Sequence, residues 1–140
     1  MKKVFAATRS GYFYGHVRGL SMWPALVPGD ILRAEKNRAA AVNPGDIVVV
    51  DSPSDGRPVV HRLLRKRETP DGGVVLYTAG DRGGPDPPLE VDRENEVLVV
   101  SGLLRRGRWR KPPGKYPRWV SGLPGTAVRL YCALVRRLLW

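Results

Sequence analysis

Ser21, His61, Asp81 and Asp86 are the residues whose types and order could carry out chemistry. A serine hydroxyl is a weak nucleophile and needs a neighbouring base to take its proton. An unperturbed imidazole titrates near neutrality, so His61, one of two histidines, can be that base. A carboxylate behind the ring fixes its tautomer and stabilises the imidazolium. Ser21 lies in Gly19-Leu20-Ser21-Met22-Trp23-Pro24. That Gly/Pro punctuation predicts a turn, where a backbone N–H can face an oxyanion. The order Ser, His, Asp is common, and the bland alternatives are a turn serine and a polar strand histidine.

The flanks tilt the balance. Ser21-Met22-x-Pro24 is followed by Gly29-Asp30, Gly45-Asp46-Ile47-Val48-Val49, Val60-His61-Arg62 and Gly80-Asp81. This series, from about Val17 to Val100, resembles the type I signal peptidases. Bacterial members usually carry a lysine at the position of His61, so the resemblance is to the endoplasmic-reticulum and archaeal kind. Self-cleaving repressors of the LexA kind are wider relatives. The stretch from Gly80 to Asp86 is also similar to short bacterial members, some encoded beside peptide-modification genes.

The resemblance implies Ser21 as nucleophile and His61 as general base. Asp81 and Asp86 both remain candidates for the third member. Asp81 ranks slightly first on its Gly80-Asp81 motif, while relatives of the histidine kind carry a second aspartate a few residues on. Met22 and Pro24 would shape the turn that presents Ser21, with the Ser21 N–H as oxyanion donor. Asp30 is expected to tie that turn to the sheet rather than act on substrate, and Asp46 to be a turn carboxylate. Many signal peptidases have a serine two positions before the nucleophile, and here that position is Gly19. The substrate implied is a secretory precursor or the leader of a small ribosomal peptide. A second reading is a weak or inactive scaffold that binds peptides without cutting them.

The elements that would position these residues are mostly strands. Tyr12–Val17 reads as a strand, Asp30–Glu35 as one that pairs with Asp46–Asp51, and Glu96–Leu104 as another. Thr69-Pro70-Asp71-Gly72-Gly73 is a turn signal, so 59–67 and 74–78 should form a hairpin. His61 would lie on its first strand, and the two aspartates just after its second. The fold expected is mainly β, a coiled barrel-like sheet of the LexA and signal-peptidase kind with a C-terminal amphipathic helix.

The 140 residues suit one core, with 42% apolar residues and 16 glycines and 13 prolines cutting the chain into short pieces. The single Cys132 excludes an internal disulfide, and with His16 and His61 it forms no metal-ligand spacing, so no metal or other cofactor is expected. After Lys2-Lys3, the apolar run from Val4 stops at Thr8-Arg9, too short for a secretory signal. The expectation is a cytoplasmic chain, peripheral to the membrane at most.

Charge divides the sequence. Residues 1–100 hold 14 Lys/Arg and all 13 acidic residues, whereas 101–140 hold 10 Lys/Arg and no carboxylate. The expected parts are a β domain over 1–104, a basic Pro/Gly linker over 105–124 and a basic helix over 125–140. Thr126 is a candidate cap, and Val128, Tyr131, Val135 and Leu138 recur at helical spacing. Such a helix docks on an anionic membrane surface, on a partner or on its own sheet. Arg105, Arg106, Arg108, Arg110 and Lys111, with Trp109, Tyr116 and Trp119, also admit a nucleic-acid-binding module. No recognised nucleic-acid motif supports it, and a charge run is first a solvated tail.

Overall fold

The computed structural model describes residues 5–52, 54–117 and 122–139. Lys2, Lys3, Val4 and Trp119, named above, lie outside them. Nine strands form one antiparallel sheet: β1 (Phe5–Ala7), β2 (Phe13–His16), β3 (Ile31–Arg38), β4 (Ile47–Asp51), β5 (Pro58–Glu68), β6 (Gly73–Ala79), β7 (Leu89–Asp92), β8 (Glu96–Arg105) and β9 (Arg108–Arg110). The order across the sheet is β1-β2-β3-β8-β4-β5-β6-β7, with β9 added to β8. The sheet curls into a half-barrel, so the mainly β expectation holds. Among the described residues one α-helix, α1 (Gly125–Leu139), follows.

Strand alternation builds the interior. Val48, Leu63, Val74, Leu76 and Val97 form one buried cluster. Leu32, Ile47, Val100 and Leu103 form a second with Met22 and Leu26, which come from the loop that carries Ser21. Each such side chain contributes roughly 1.5–3 kcal/mol by leaving water. The serine loop is therefore anchored in the core.

The expected hairpin forms as β5–β6, turning at Thr69–Gly72, where the Gly72 N–H donates to Thr69 O at 3.1 Å. Its register slips between Leu63 and Arg65, a bulge that leaves Leu64 42% exposed. The expected pairing of Asp30–Glu35 with Asp46–Asp51 does not occur. Strand β8, ten residues long and rich in valine and leucine, lies between β3 and β4 and pairs with both. The residues read as linker begin inside the sheet: Arg105 ends β8, Arg106-Gly107 make a turn and Arg108–Arg110 return as β9. On this face Gly102 has no side chain, and the Arg33 guanidinium lies over it, flanked by the rings of Tyr12 and Trp109 at 4.9 and 5.2 Å.

The helix begins and ends within a residue of its expected span. Its Val128 is 1% exposed, but Leu130, Tyr131 and Leu134 are 64%, 57% and 50% exposed. Among the described residues, no helix is long and apolar enough to cross a membrane.

Candidate active site

Ser21 lies on the loop between β2 and β3. The loop is closed at its neck by Val17 N–H to Asp30 O at 2.9 Å and Gly29 N–H to Val17 O at 3.0 Å. Within it, Trp23 N–H donates to Leu20 O and Leu26 N–H to Met22 O. Met22, Trp23, Ala25 and Leu26 are buried, while Ser21 is exposed. The apolar residues pull one side of the turn inward and leave the hydroxyl outside. The peptide Trp23–Pro24 is cis.

Asp30 braces this loop from below. Its carboxylate accepts Val27 N–H at 2.9 Å and both Nε and Nη2 of Arg105, at 2.9 and 2.7 Å. Arg105 Nη2 also donates to Ala25 O. The bond to Asp30 holds the Arg105 guanidinium above its ordinary pKa, against the opposing pull of burial. A bidentate pair of this kind fixes geometry as well as charge. Asp46 similarly accepts Asn43 N–H at 2.8 Å and closes its own turn.

His61 projects from β5. Its Nδ1 lies 2.6 Å from Asp86 Oδ2, and the pair is only partly exposed, at 14% and 26%. Thr78 Oγ1 donates to the same oxygen at 2.7 Å, and Asp86 N–H donates to Thr78 O at 2.8 Å. With Nδ1–H given to the carboxylate, the neutral ring keeps Nε2 as its acceptor.

That second nitrogen faces the serine loop across Gly80. A Cβ built on Gly80 would lie 3.3 Å from His61 Nε2, 3.0 Å from Ser21 Cβ and 2.8 Å from Ser21 O. Serine and imidazole thus flank one point of backbone that only glycine fits. The next residues tie the contact down, with Arg82 N–H donating to Ser21 O at 2.9 Å. We expect Gly80→Ala to fold, by circular dichroism, yet to lose about 100-fold in peptide cleavage, the scale of a small displacement of reacting groups. Unchanged cleavage would mean that these groups do not act together.

Asp81, the first-ranked third member, sits elsewhere. It is buried against Arg62, with Nε to Oδ1 at 2.8 Å and Nη2 to Oδ2 at 2.9 Å. Arg62 also reaches Gly45 O and Pro113 O. The structure brings Ser21, His61 and Asp86 together and gives Asp81 a bracing position behind them. Met22 and Pro24 belong to the serine turn, Met22 in the core and Pro24 on a cleft beside it. Thr78 escaped the sequence reading, since a threonine on a strand carries no signal until its neighbour across the site is known. Gly80 was noted only as half of a motif. Among the described residues, no three His, Cys, Asp or Glu side chains could hold a metal ion.

A half-barrel β sheet presenting serine, imidazole and carboxylate in this relation is an arrangement able to perform acyl transfer by nucleophilic attack. Comparison with known proteins finds relatives of the corresponding kind. The chain is 37% identical over 92 residues to the signal peptidase complex catalytic subunit SEC11 of Yarrowia lipolytica, covering 60% of this chain and 52% of the relative. It is 36% identical over 78 residues to SEC11 of Eremothecium gossypii, covering 56% and 46%. The human subunit SEC11C is 33% identical over 66 residues, covering 47% and 34%. The similarities support the type I signal peptidase superfamily, and the chain spans about half the length of the first two relatives. No family model and no solved structure matches.

Proposed function

We propose that the chain is a serine endopeptidase of the signal-peptidase type, acting on a precursor or leader peptide. The observation that carries this reading is the Asp86–His61 hydrogen bond, with the far ring nitrogen facing the Ser21 loop over Gly80. Ser21 Oγ attacks the scissile carbonyl as His61 Nε2 takes its proton, and Asp86 stabilises the imidazolium. The oxyanion is met by backbone N–H groups, that of Ser21 foremost. The imidazolium then protonates the leaving amine, and water, deprotonated by the same nitrogen, hydrolyses the acyl-enzyme.

The peptide lies as an extended strand. In β5, residues 58–61 pair with β4 on one side, whereas pairing with β6 begins only at Arg62. The other edge of Val59–His61 can take a strand, which would lead the peptide past His61 towards Ser21. The test is incubation of the chain with secretory precursors and with leader peptides, reading products by mass spectrometry against Ser21→Ala. A chain that binds such peptides and cuts none of them supports the scaffold reading instead.

Gly19 favours that second reading, because it offers no hydroxyl to the oxyanion. Among the described residues, a Cβ there meets no atom within 4 Å, so a side chain has room. Gly19→Ser should fold normally and raise the cleavage rate, by ~100-fold if the new hydroxyl is aligned. A rate at or below that of the parent would show that the backbone donors already suffice or that the hydroxyl points elsewhere.

The helix supports association with an anionic membrane surface. Leu130 and Leu134 are exposed one turn apart, on a segment whose charged residues are Arg129, Arg136 and Arg137. A basic helix with an uncovered apolar face lies in the membrane interface. We expect the chain to sediment with phosphatidylglycerol vesicles and a Leu130→Glu, Leu134→Glu double variant to stay in solution. Added salt should weaken binding of the parent. Equal sedimentation of both chains would refute this docking. The nucleic-acid reading requires instead that both chains bind single-stranded RNA through Arg105–Lys111. Arg105 is already committed to Asp30, which weakens that reading.

A further inference from the structure

Beside the serine turn runs an apolar cleft of 870 Å³, lined by Trp23, Val27, Ile31 and Leu104 on the sheet side and by Val128 and Tyr131 of α1. That is within the volume range of specific ligand sites. It borders the turn that carries Ser21, since Trp23 and Pro24 of that turn line it. The helical wall is held by Val128, by an edge contact of Tyr131 on Trp23 at 6.4 Å and by Arg82 Nη2 donating to Leu123 O.

The charged residues lining the cleft, Asp30, Arg105 and Arg106, leave it net positive. Its one lining carboxylate, Asp30, is neutralised by Arg105. Arg106 remains at the mouth, and no Asp or Glu follows Glu96 in the chain. Arg106 also has φ of +52°, beside Gly107 at +69°, in the two-residue turn between β8 and β9. Asn or Gly would adopt that conformation at lower cost. A long cation held in an unfavourable conformation at the lip of an apolar cleft is a reason to look for function there.

We infer that this cleft is an exosite for an acidic amphipathic segment of the substrate, outside the residues that pass Ser21. The inference rests on the peptidase reading and narrows it. A segment with apolar residues on one side and carboxylates on the other is complementary to the cleft and its rim, whereas a lysine-rich one meets like charge. Secretory signals begin with a basic region. The cleft therefore favours an acidic leader peptide over a secretory precursor.

The test uses the full chain carrying Ser21→Ala, so binding is read without cleavage. The probes are a short labelled amphipathic peptide with glutamate at every polar position and its twin with lysine there, followed by fluorescence anisotropy. The glutamate probe should bind at least about tenfold more tightly, with the difference shrinking as salt is added. Arg106→Glu should weaken the glutamate probe about fivefold and strengthen the lysine probe. Val27→Trp, which fills the cleft, should abolish binding of the glutamate probe. Cys132, the chain's single cysteine, lines the cleft, so in the otherwise parental chain the glutamate probe should also slow its alkylation. Equal binding of the two probes, an unchanged ratio in Arg106→Glu, or alkylation unaffected by saturating probe would overturn the exosite. So would protection of Cys132 by phosphatidylglycerol vesicles but not by peptide, since the cleft would then hold lipid. A chain that binds the probe selectively while its Ser21 parent cuts nothing keeps the exosite and loses the peptidase.

Discussion

Ser21→Ala and His61→Ala are each expected to lower cleavage of a true substrate by at least ~10⁴-fold, with the double variant little worse than either single one. Removing the hydroxyl removes the atom that bonds to the carbonyl. Removing the imidazole leaves the hydroxyl without the group that takes its proton, so the second deletion has little left to destroy. Neither change should unfold the chain. Ser21 is exposed, and His61 is partly exposed and bonded to the partly exposed Asp86. The measurement is single-turnover cleavage with each variant, alongside thermal unfolding to show that the fold is retained. Strictly additive losses would mean that serine and histidine act in separate steps. Parental rates in either variant would mean that cleavage does not run through Ser21 and His61, whereas a parent chain that binds peptide and cuts nothing would leave the peptide-binding scaffold.

Much of this site could be read in the chain because the chemistry sits on short local motifs. Glycine and proline around Ser21 mark its turn, and the hairpin after His61 is announced by Thr69–Gly73. What could not be read depends on contacts between segments distant in sequence. Asp30 and Arg105 are seventy-five residues apart, yet their ion pair fixes the serine loop. Nothing in a basic Pro/Gly stretch reveals that its first arginine is spoken for, so Arg105 reads as part of a solvated tail. The insertion of β8 between β3 and β4 is similarly invisible, because periodicity specifies which face of a strand is buried and not which strand lies beside it. The choice between Asp81 and Asp86 turns on contacts of the same kind. Both follow the hairpin, and the motif favoured Asp81. Asp81 instead meets Arg62, the neighbour of His61, whose side chain alternation sends to the other face of β5.

The two aspartates should therefore separate rate from stability. Asp86→Asn keeps the size of the side chain but gives His61 Nδ1 an uncharged partner. It favours the wrong tautomer and leaves the imidazolium unsupported, which costs on the order of 10⁴-fold in rate in a triad. Because Asp86 is 26% exposed, its replacement should move the melting temperature little. Asp81→Asn does the opposite. It leaves the Arg62 guanidinium, 4% exposed, without its counter-charge. Loss of one partner from such a buried pair costs ~3–5 kcal/mol, so the variant should melt at a clearly lower temperature. Well below that temperature it should retain far more activity than Asp86→Asn, since Arg62 and Asp81 brace the Gly80 backbone without touching the ring. Initial rates and melting curves on the same preparations decide the matter. An Asp81→Asn chain that is fully folded and slower than Asp86→Asn would assign the third role to Asp81. Near-parental rates in both would reduce the site to a Ser21–His61 dyad, in which the short Asp86 contact orients the ring without stabilising its charge.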